Sequence, residues 1–145
     1  MKPVLIALFL TTAIIACGYV PFSGGKLEGT TRPNPSDWTQ IAQPDIIQLE
    51  TNPGDPYSVK LWIIAIGDLL YVHAGANRAT WVENIEANPD VRLLIDDSIY
   101  ELQAERVTDQ EEFAAFIAGY ESKYSTRPRN ETIGEIYLYR LVSRT

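Results

Sequence analysis

The stretch from residue 69 to residue 95 constrains the fold more than any other. The spacing of its apolar residues changes twice, from that of a strand to that of a helix and back. Residues 69–74 alternate with a two-residue period, which predicts a strand with one buried face. Thr80 and Glu83 then have the spacing of a capping box, which predicts a short helix that ends before Pro89. A second apolar strand follows. The stretch therefore predicts a strand, a polar turn, a helix and another strand in succession.

Further strands and a second helix are predicted on both sides of this stretch. The predicted strands are residues 45–50, 58–66, 69–74, 91–95, 99–107 and 135–143. Thr108 and Glu111 form a second capping box, which predicts a helix that runs to about Tyr124. Residues 58–66 are apolar on both faces, as expected for a covered barrel wall or a subunit contact. This order predicts a small barrel, closed or split, of about six antiparallel strands.

The N-terminus differs in kind from the rest of the chain. An apolar stretch at residues 4–15 follows Lys2 and is too short to span a bilayer comfortably. It ends in the sequence Ile-Ile-Ala-Cys-Gly, which contains the only cysteine, Cys17. This flank resembles the lipobox of bacterial lipoproteins, so we expect residues 1–16 to be a signal peptide and Cys17 to be lipidated. The alternatives are a plain signal peptide with an incidental cysteine and an uncleaved N-terminal anchor.

The remaining chain divides into a tether and one domain. Residues 17–36 are rich in glycine and proline and lack periodicity, which predicts a lipidated cysteine followed by a flexible tether. Residues 37–145 are long enough for one domain with its own core. A lipid-anchored protein of this kind is expected in the bacterial cell envelope, facing the periplasm or the exterior. Its partner would be the membrane, contacted through the N-terminal lipid.

Composition excludes several classes of function. A formal charge of −7 argues against a nucleic-acid partner, because phosphate backbones require a basic surface. A lone cysteine excludes a thiolate metal cluster, and His73 is the only histidine, so no metal site is predicted. No GxSxG motif is present for nucleophilic catalysis. His73 is interpreted as a hydrogen-bonded residue of the barrel wall.

The loop after residues 69–74 is a candidate anion-binding corner. A guanidinium from Arg78, the free N–H groups of the turn and the positive end of the following helix would all face one point. The alternative is an ordinary strand–loop–helix connection with a solvated arginine.

A resemblance to a known family rests on residues 60–96, KLWIIAIGDLLYVHAGANRATWVENIEANPDVRLLID. This run resembles the flavin-binding split barrels related to pyridoxamine 5′-phosphate oxidase, and their deazaflavin-dependent nitroreductase relatives. They share an apolar strand, a short turn, a second strand, a polar loop and a tryptophan-bearing helix. A sequence of the pattern AnPxV then leads into the next strand. The resemblance extends from about Asp45 to the C-terminus. It implies a mainly β fold with two helices (α+β), a six-stranded antiparallel split β-barrel over residues 37–145.

The resemblance also implies a cofactor site and a homodimer. In this family the cofactor phosphate lies on the loop after the third strand, and the flavin ring lies between two subunits. Carried over by position, Asn77 and Arg78 would hold the phosphate with backbone N–H groups of Gly75 and Ala76. Arg78 is the only basic residue in that loop, whereas flavin-binding members commonly have more than one.

The flavin ring would contact residues outside this loop. By position, Lys60 and Trp62 would face the ring and Trp81 would close the pocket. The implied cofactor is FMN, with deazaflavin or haem as alternatives. Catalytic residues are not assigned by the resemblance.

Three functions stay open at this point. The first is a membrane-anchored FMN- or deazaflavin-dependent oxidoreductase of unknown substrate. The second is a non-enzymatic lipoprotein that binds a small ligand such as haem. The third is a structural domain without a ligand.

Overall fold

The computed structural model describes residues 23–130 and 132–145. The predicted signal peptide, Cys17 and the first residues of the predicted tether lie outside the described residues. Within the described ranges, no helix is long and apolar enough to cross a membrane.

The described residues form nine strands and two helices. In chain order these are β1 Ser23–Gly24, β2 Thr30–Thr31, β3 Ile46–Thr51, β4 Tyr57–Trp62, β5 Ile64–Ile66, β6 Leu69–Ala74, α1 Thr80–Ala87, β7 Asp90–Ile95, β8 Ser98–Arg106, α2 Gln110–Tyr124 and β9 Tyr137–Ser143. Because β1 and β2 have only two residues each, seven longer strands make up the body of the fold.

All described strands belong to one curled sheet. Its main order is β1-β4-β3-β7-β8-β9-β6-β5, and β2 adds to β8 in parallel while the other pairs are antiparallel. β4 and β5 follow each other in the chain yet lie at opposite ends of the seven-strand path. The curled sheet confirms the predicted split barrel, mainly β with two helices. The predicted strand count was one too low, because residues 58–66 form two strands.

The chain changes partner strands at Ile63, between β4 and β5. β4 pairs with β3, β5 pairs with β6, and Ile63 is fully buried between them at 0% exposure. Its N–H donates to the hydroxyl of Tyr124 at 3.0 Å, and its carbonyl accepts from the ammonium of Lys123 at 3.0 Å. The same ammonium donates to the carbonyls of Ala42 and Pro44 at 3.0 and 2.8 Å. The end of α2 therefore satisfies backbone groups that the sheet leaves without partners.

The second half of residues 58–66 is apolar on both faces for reasons that lie within one subunit. Ile63 and its odd-numbered neighbours point into the barrel core, whereas Ile64 and Ile66 pack beneath α2. The covered barrel wall predicted for this stretch is thus present in its second half. In the first half, the outward-facing Lys60 and Trp62 are exposed. The homodimer stays a prediction.

The two helices lie where they were predicted, but with different caps. The N-cap of α1 is Ala79, which makes no side-chain hydrogen bond, so the capping box predicted at Thr80 is not formed. The N-cap of α2 is Asp109 instead of Thr108, and its carboxylate accepts from the N–H of Glu112 at 2.8 Å. An aspartate caps a helix as well as a threonine does, so the sequence pattern was compatible with either residue.

Part of the predicted flexible tether lies instead against the barrel. Residues 23–36 include β1 and β2, which pair with β4 and β8. Leu27 is 6% exposed, and its N–H donates to the carboxylate of Glu50. Glu50 is 4% exposed and accepts from Arg92 at 2.9 Å through each oxygen. The burial of Leu27 and its hydrogen bond to the Glu50–Arg92 ion pair hold this segment against the barrel. Its composition alone is typical of a linker.

The three carbonyls around the Lys123 ammonium predict a large effect of its removal. We expect Lys123→Met to lower the free energy of unfolding by about 2–3 kcal/mol, because charge-assisted hydrogen bonds are lost and the acceptors stay buried. Urea unfolding of wild type and variant measures this difference. Lys60→Met is the matched control, because Lys60 is exposed and should change stability by less than about 0.5 kcal/mol. Equal effects of the two substitutions would contradict the role of Lys123.

Candidate functional site

A groove of about 350 Å³ opens between the ends of β4 and β6 and the loop that follows α2. It is lined by Trp62, His73, Gly75, Tyr120, Thr126, Arg127, Pro128, Arg129 and Asn130. These residues come from two strands, a helix and two loops. The site therefore depends on the way in which α2 lies across the barrel.

One wall of the groove is aromatic. The Trp62 indole stacks on the ring of Tyr124, with centroids 4.4 Å apart and planes 22° apart, and lies 5.7 Å from the ring of Tyr120. Trp62 is nevertheless 42% exposed. The tyrosines fix the indole from one side while part of its surface stays accessible, which suits a planar aromatic ligand.

His73, at the end of β6, carries the imidazole of the groove. Its ring lies edge-on to Phe116 and Tyr120, with centroids 5.4 and 5.3 Å away. Burial among these rings lowers the pKa of His73 to about 4, so the imidazole is neutral at neutral pH. A neutral imidazole presents one N–H donor and one acceptor nitrogen. The sequence had placed His73 in the barrel wall, and the structure adds that it lines the groove.

The loops that follow β6 and α2 are joined by Asn130. Its side-chain oxygen accepts from the N–H of Ala76 at 3.2 Å. A Cβ at Gly75 would lie only 2.8 Å from that oxygen, so a larger residue at this position would require the Asn130 side chain to shift. The predicted phosphate contact by the N–H of Ala76 competes with this hydrogen bond.

Two arginines give the groove a positive rim. Arg127 and Arg129 flank Pro128 on the loop at residues 126–130, and both side chains are exposed. The Nε of Arg127 also lies 3.4 Å from a carboxylate oxygen of Glu121. Guanidinium groups bind phosphate and carboxylate groups well, because their N–H donors match the geometry of these anions. The rim is therefore suited to an anionic group, although the whole chain has a formal charge of −7.

The groove brings together only part of the predicted cofactor site. Trp62 and Gly75 line it, and Ala76 reaches it through Asn130. Lys60 lines a separate depression on the outer face of the sheet.

The other predicted residues lie elsewhere. Asn77 is exposed and does not line the groove. Arg78 forms an ion pair with Glu86 of α1, with side chains 44% and 40% exposed. Trp81 is 3% exposed and packs edge-on against Tyr139 in the barrel core, so it does not line the groove that Trp62 borders. The phosphate role of Arg78 stays a prediction.

The sequence offered one unused signal for the residues that it missed. The tripeptide Arg127-Pro128-Arg129 begins three residues after Tyr124, which ends the aromatic stripe of the second helix. Two basic residues in a short loop supply the additional positive charge that the loop at Arg78 lacks. Which surface this loop faces depends on contacts between residues far apart in the chain.

The family of the chain follows from a match to a family model. The model of the F420H(2)-dependent quinone reductase family matches residues 55–130, which is 76 of 145 residues. The chain belongs to this family. The part shared with the F420H(2)-dependent quinone reductases ends at Asn130 and contains every residue that lines the groove. No curated protein matches the chain in sequence.

Solved structures share the fold of this member of the F420H(2)-dependent quinone reductase family. The heme storage protein HutZ from Vibrio cholerae is 18% identical at a TM-score of 0.58, over 73% of this chain and 87% of that chain. A pyridoxamine 5′-phosphate oxidase-like protein from Listeria innocua is 18% identical at a TM-score of 0.57, over 72% and 88%. An F420 reductase is 18% identical at a TM-score of 0.51, over 77% and 96%. At these identities the likeness shows the split-barrel fold alone.

The lowered pKa of His73 predicts a pH dependence of stability. Its value of about 4 in the folded protein lies below the ordinary 6.5, so the unfolded chain binds a proton first as the pH falls. Stability is therefore lost between about pH 6.5 and pH 4, by at most about 3 kcal/mol. Because the chain has one histidine, its imidazole NMR signal should titrate with a midpoint near pH 4.

The variant His73→Gln isolates this contribution. Urea unfolding at pH 7 and at pH 4 should show a smaller pH effect in the variant than in the wild type. An imidazole midpoint near pH 6.5, with the same pH effect in both proteins, would show that His73 is solvated.

Proposed function

We propose that this protein is an oxidoreductase that binds a deazaflavin of the F420 type in the groove between Trp62 and residues 126–130. The carrying observation is the combination of a partly exposed indole with two arginines at the rim. A deazaflavin has a flat tricyclic ring and an anionic, phosphate-bearing tail. The membership of the chain in the F420H(2)-dependent quinone reductase family favours this cofactor over FMN.

The residues of the groove fit such a cofactor. The groove has a volume of about 350 Å³, which is within the range of small-molecule sites, roughly 300–1,000 Å³. Trp62 would contact a face of the ring, since offset stacking of aromatic planes is favourable. Arg127 and Arg129 would bind the phosphate of the tail by charge-assisted hydrogen bonds. FMN has the same two parts and is the second cofactor to test.

The protein would position the reactants and control their surroundings. A bound deazaflavin or flavin supplies hydride chemistry. His73 stays neutral at physiological pH, so it would donate or accept a hydrogen bond in the groove without adding a charge. Phe116 and Tyr120 restrict water around that imidazole, which strengthens its polar contacts.

Haem binding without catalysis is the second candidate function. The favouring observation is that the only histidine of the chain lines the groove in its neutral form, which is the form that binds metals. The structural likeness to a heme storage protein agrees with it. Titration with haem separates the candidates, because haem ligation by His73 shifts the Soret band and His73→Gln would abolish that shift.

The rim arginines predict a selective loss of cofactor affinity. We expect Arg129→Ala to weaken binding of F420 or FMN about ten- to a hundredfold, as for loss of a charge-assisted contact of about 1.5–3 kcal/mol. Fluorescence titration measures the dissociation constants. Arg78→Ala is the matched control, because its guanidinium is paired with Glu86 outside the groove. Riboflavin, which has no phosphate, should bind weakly and be insensitive to both substitutions.

Two results of this titration would change the assignment. A loss of affinity in Arg78→Ala alone would place the phosphate on the loop before α1, as the resemblance implied. No binding of F420 or FMN at tens of micromolar would remove the oxidoreductase function and leave the ligand-binding one.

We also propose that Cys17 carries a lipid that anchors the protein in the bacterial cell envelope. The support is the lipobox-like flank of the only cysteine in the chain. Each buried methylene of an acyl chain contributes about 0.8 kcal/mol, so more than one chain holds a protein firmly. In fractionated cells we expect wild type in the membrane, labelled by a fatty-acid probe, and Cys17→Ala released. Equal membrane association of both, without labelling, would refute the anchor.

A further inference from the structure

An apolar patch lies on the outer face of the sheet beside the groove. Ile46 and Trp62 are the large hydrophobic residues that are exposed among the described residues, at 53% and 42%. They are direct partners across the β3–β4 pair. Lys60 and Gln48 form the next outward-facing pair of the same two strands. We call Ile46, Trp62 and the adjoining Lys60 the Trp62 patch.

The N-terminal segment reaches the barrel beside this patch. β1 pairs with the free edge of β4, with Ser23 opposite Val59. Because the pair is antiparallel, the N-terminal end of β1 faces the Trp62 end of β4. Trp62 is three residues beyond Val59, a distance of about 10 Å along a strand.

The predicted anchor is close to this point in the sequence. Six residue steps separate Cys17 from Ser23, and a chain of that length spans at most about 22 Å. A lipidated Cys17 would therefore keep the Trp62 end of β4 within a short distance of the bilayer. A short link raises the effective concentration of the patch at the membrane, so weak side-chain contacts suffice to hold it there.

We propose that the Trp62 patch rests on the surface of the bilayer in which Cys17 is anchored. Tryptophan is favoured at membrane interfaces, because its ring is apolar and its N–H is polar. Ile46 adds apolar area beside it, and the ammonium of Lys60 is placed to meet lipid phosphates. Asp96 lines the same depression as Lys60, and the chain is acidic as a whole, so the surface that fits is zwitterionic.

This contact rests on lipidation of Cys17, as proposed above, and does not depend on which cofactor the groove binds. Trp62 belongs to both the patch and the groove. A patch that touches the bilayer would therefore bring the Trp62 side of the groove close to the membrane.

Fluorescence quenching by brominated lipids tests the contact. The full lipidated protein is placed in phosphatidylcholine vesicles whose acyl chains carry bromine. Trp38 and Trp81 are 2% and 3% exposed, so Trp62 is the accessible indole among the described residues. We expect bromine to quench the part of the emission that Trp62→Phe removes. In Ile46→Asp, that quenching should be lost while the lipid still holds the protein on the vesicles, with unchanged circular dichroism.

Three results would overturn the proposal. Trp62 emission that responds to aqueous acrylamide but not to bromine would show that the patch faces water. Protection from both quenchers would show that a second copy of the chain, as in the predicted homodimer, covers it. A Cys17 without lipid would remove the premise. The cofactor titration on the same protein is independent, so failure of the lipid contact leaves the oxidoreductase function testable, and the reverse also holds.

Discussion

The hydrogen bonds from the end of α2 to the bend at Ile63 are the contacts on which the rest of the structure depends. A strand that changes partners inside a barrel leaves some backbone N–H and C=O groups without hydrogen bonds to a neighbouring strand. When they are buried, such groups need other hydrogen-bond partners. Lys123 and Tyr124 supply them. Because residues 126–130 begin two residues after Tyr124, the same contacts fix where the arginine-bearing loop begins. The bend therefore positions both Trp62, which ends β4, and the rim that lies opposite.

The groove combines three properties that come from different side chains. It has a partly exposed indole, an imidazole kept neutral by burial, and a positive rim on an acidic protein. Each property comes from a different part of the chain. The hydrogen bond between Ala76 and Asn130 joins the loop after β6 to the loop after α2. A flat ring with an anionic tail uses all three at once. The family of the chain agrees with such a ligand.

The sequence predicted the elements well and their assembly only in part. Local period and capping signals located α1, α2 and the strands within a few residues. No local signal marked the bend at Ile63, because odd-numbered residues of that stretch keep pointing inward through it. The ion pair of Arg78 with Glu86 forms across eight residues of loop and helix, and no local pattern around Arg78 indicated it. The arginines at residues 127 and 129 acquire their place only when α2 docks.

Contact between the cofactor and His73 is the most direct test of the proposed site. The chain contains one histidine, so a long-range proton–nitrogen NMR spectrum shows a single imidazole whose two ring nitrogens are read separately. During addition of F420, we expect these signals to shift, with the same dissociation constant that fluorescence gives for the cofactor. The tautomer seen in the bound state would then identify which nitrogen donates. If saturating cofactor binds to the protein and leaves the signals of both ring nitrogens unchanged, the groove at His73 is not the cofactor site.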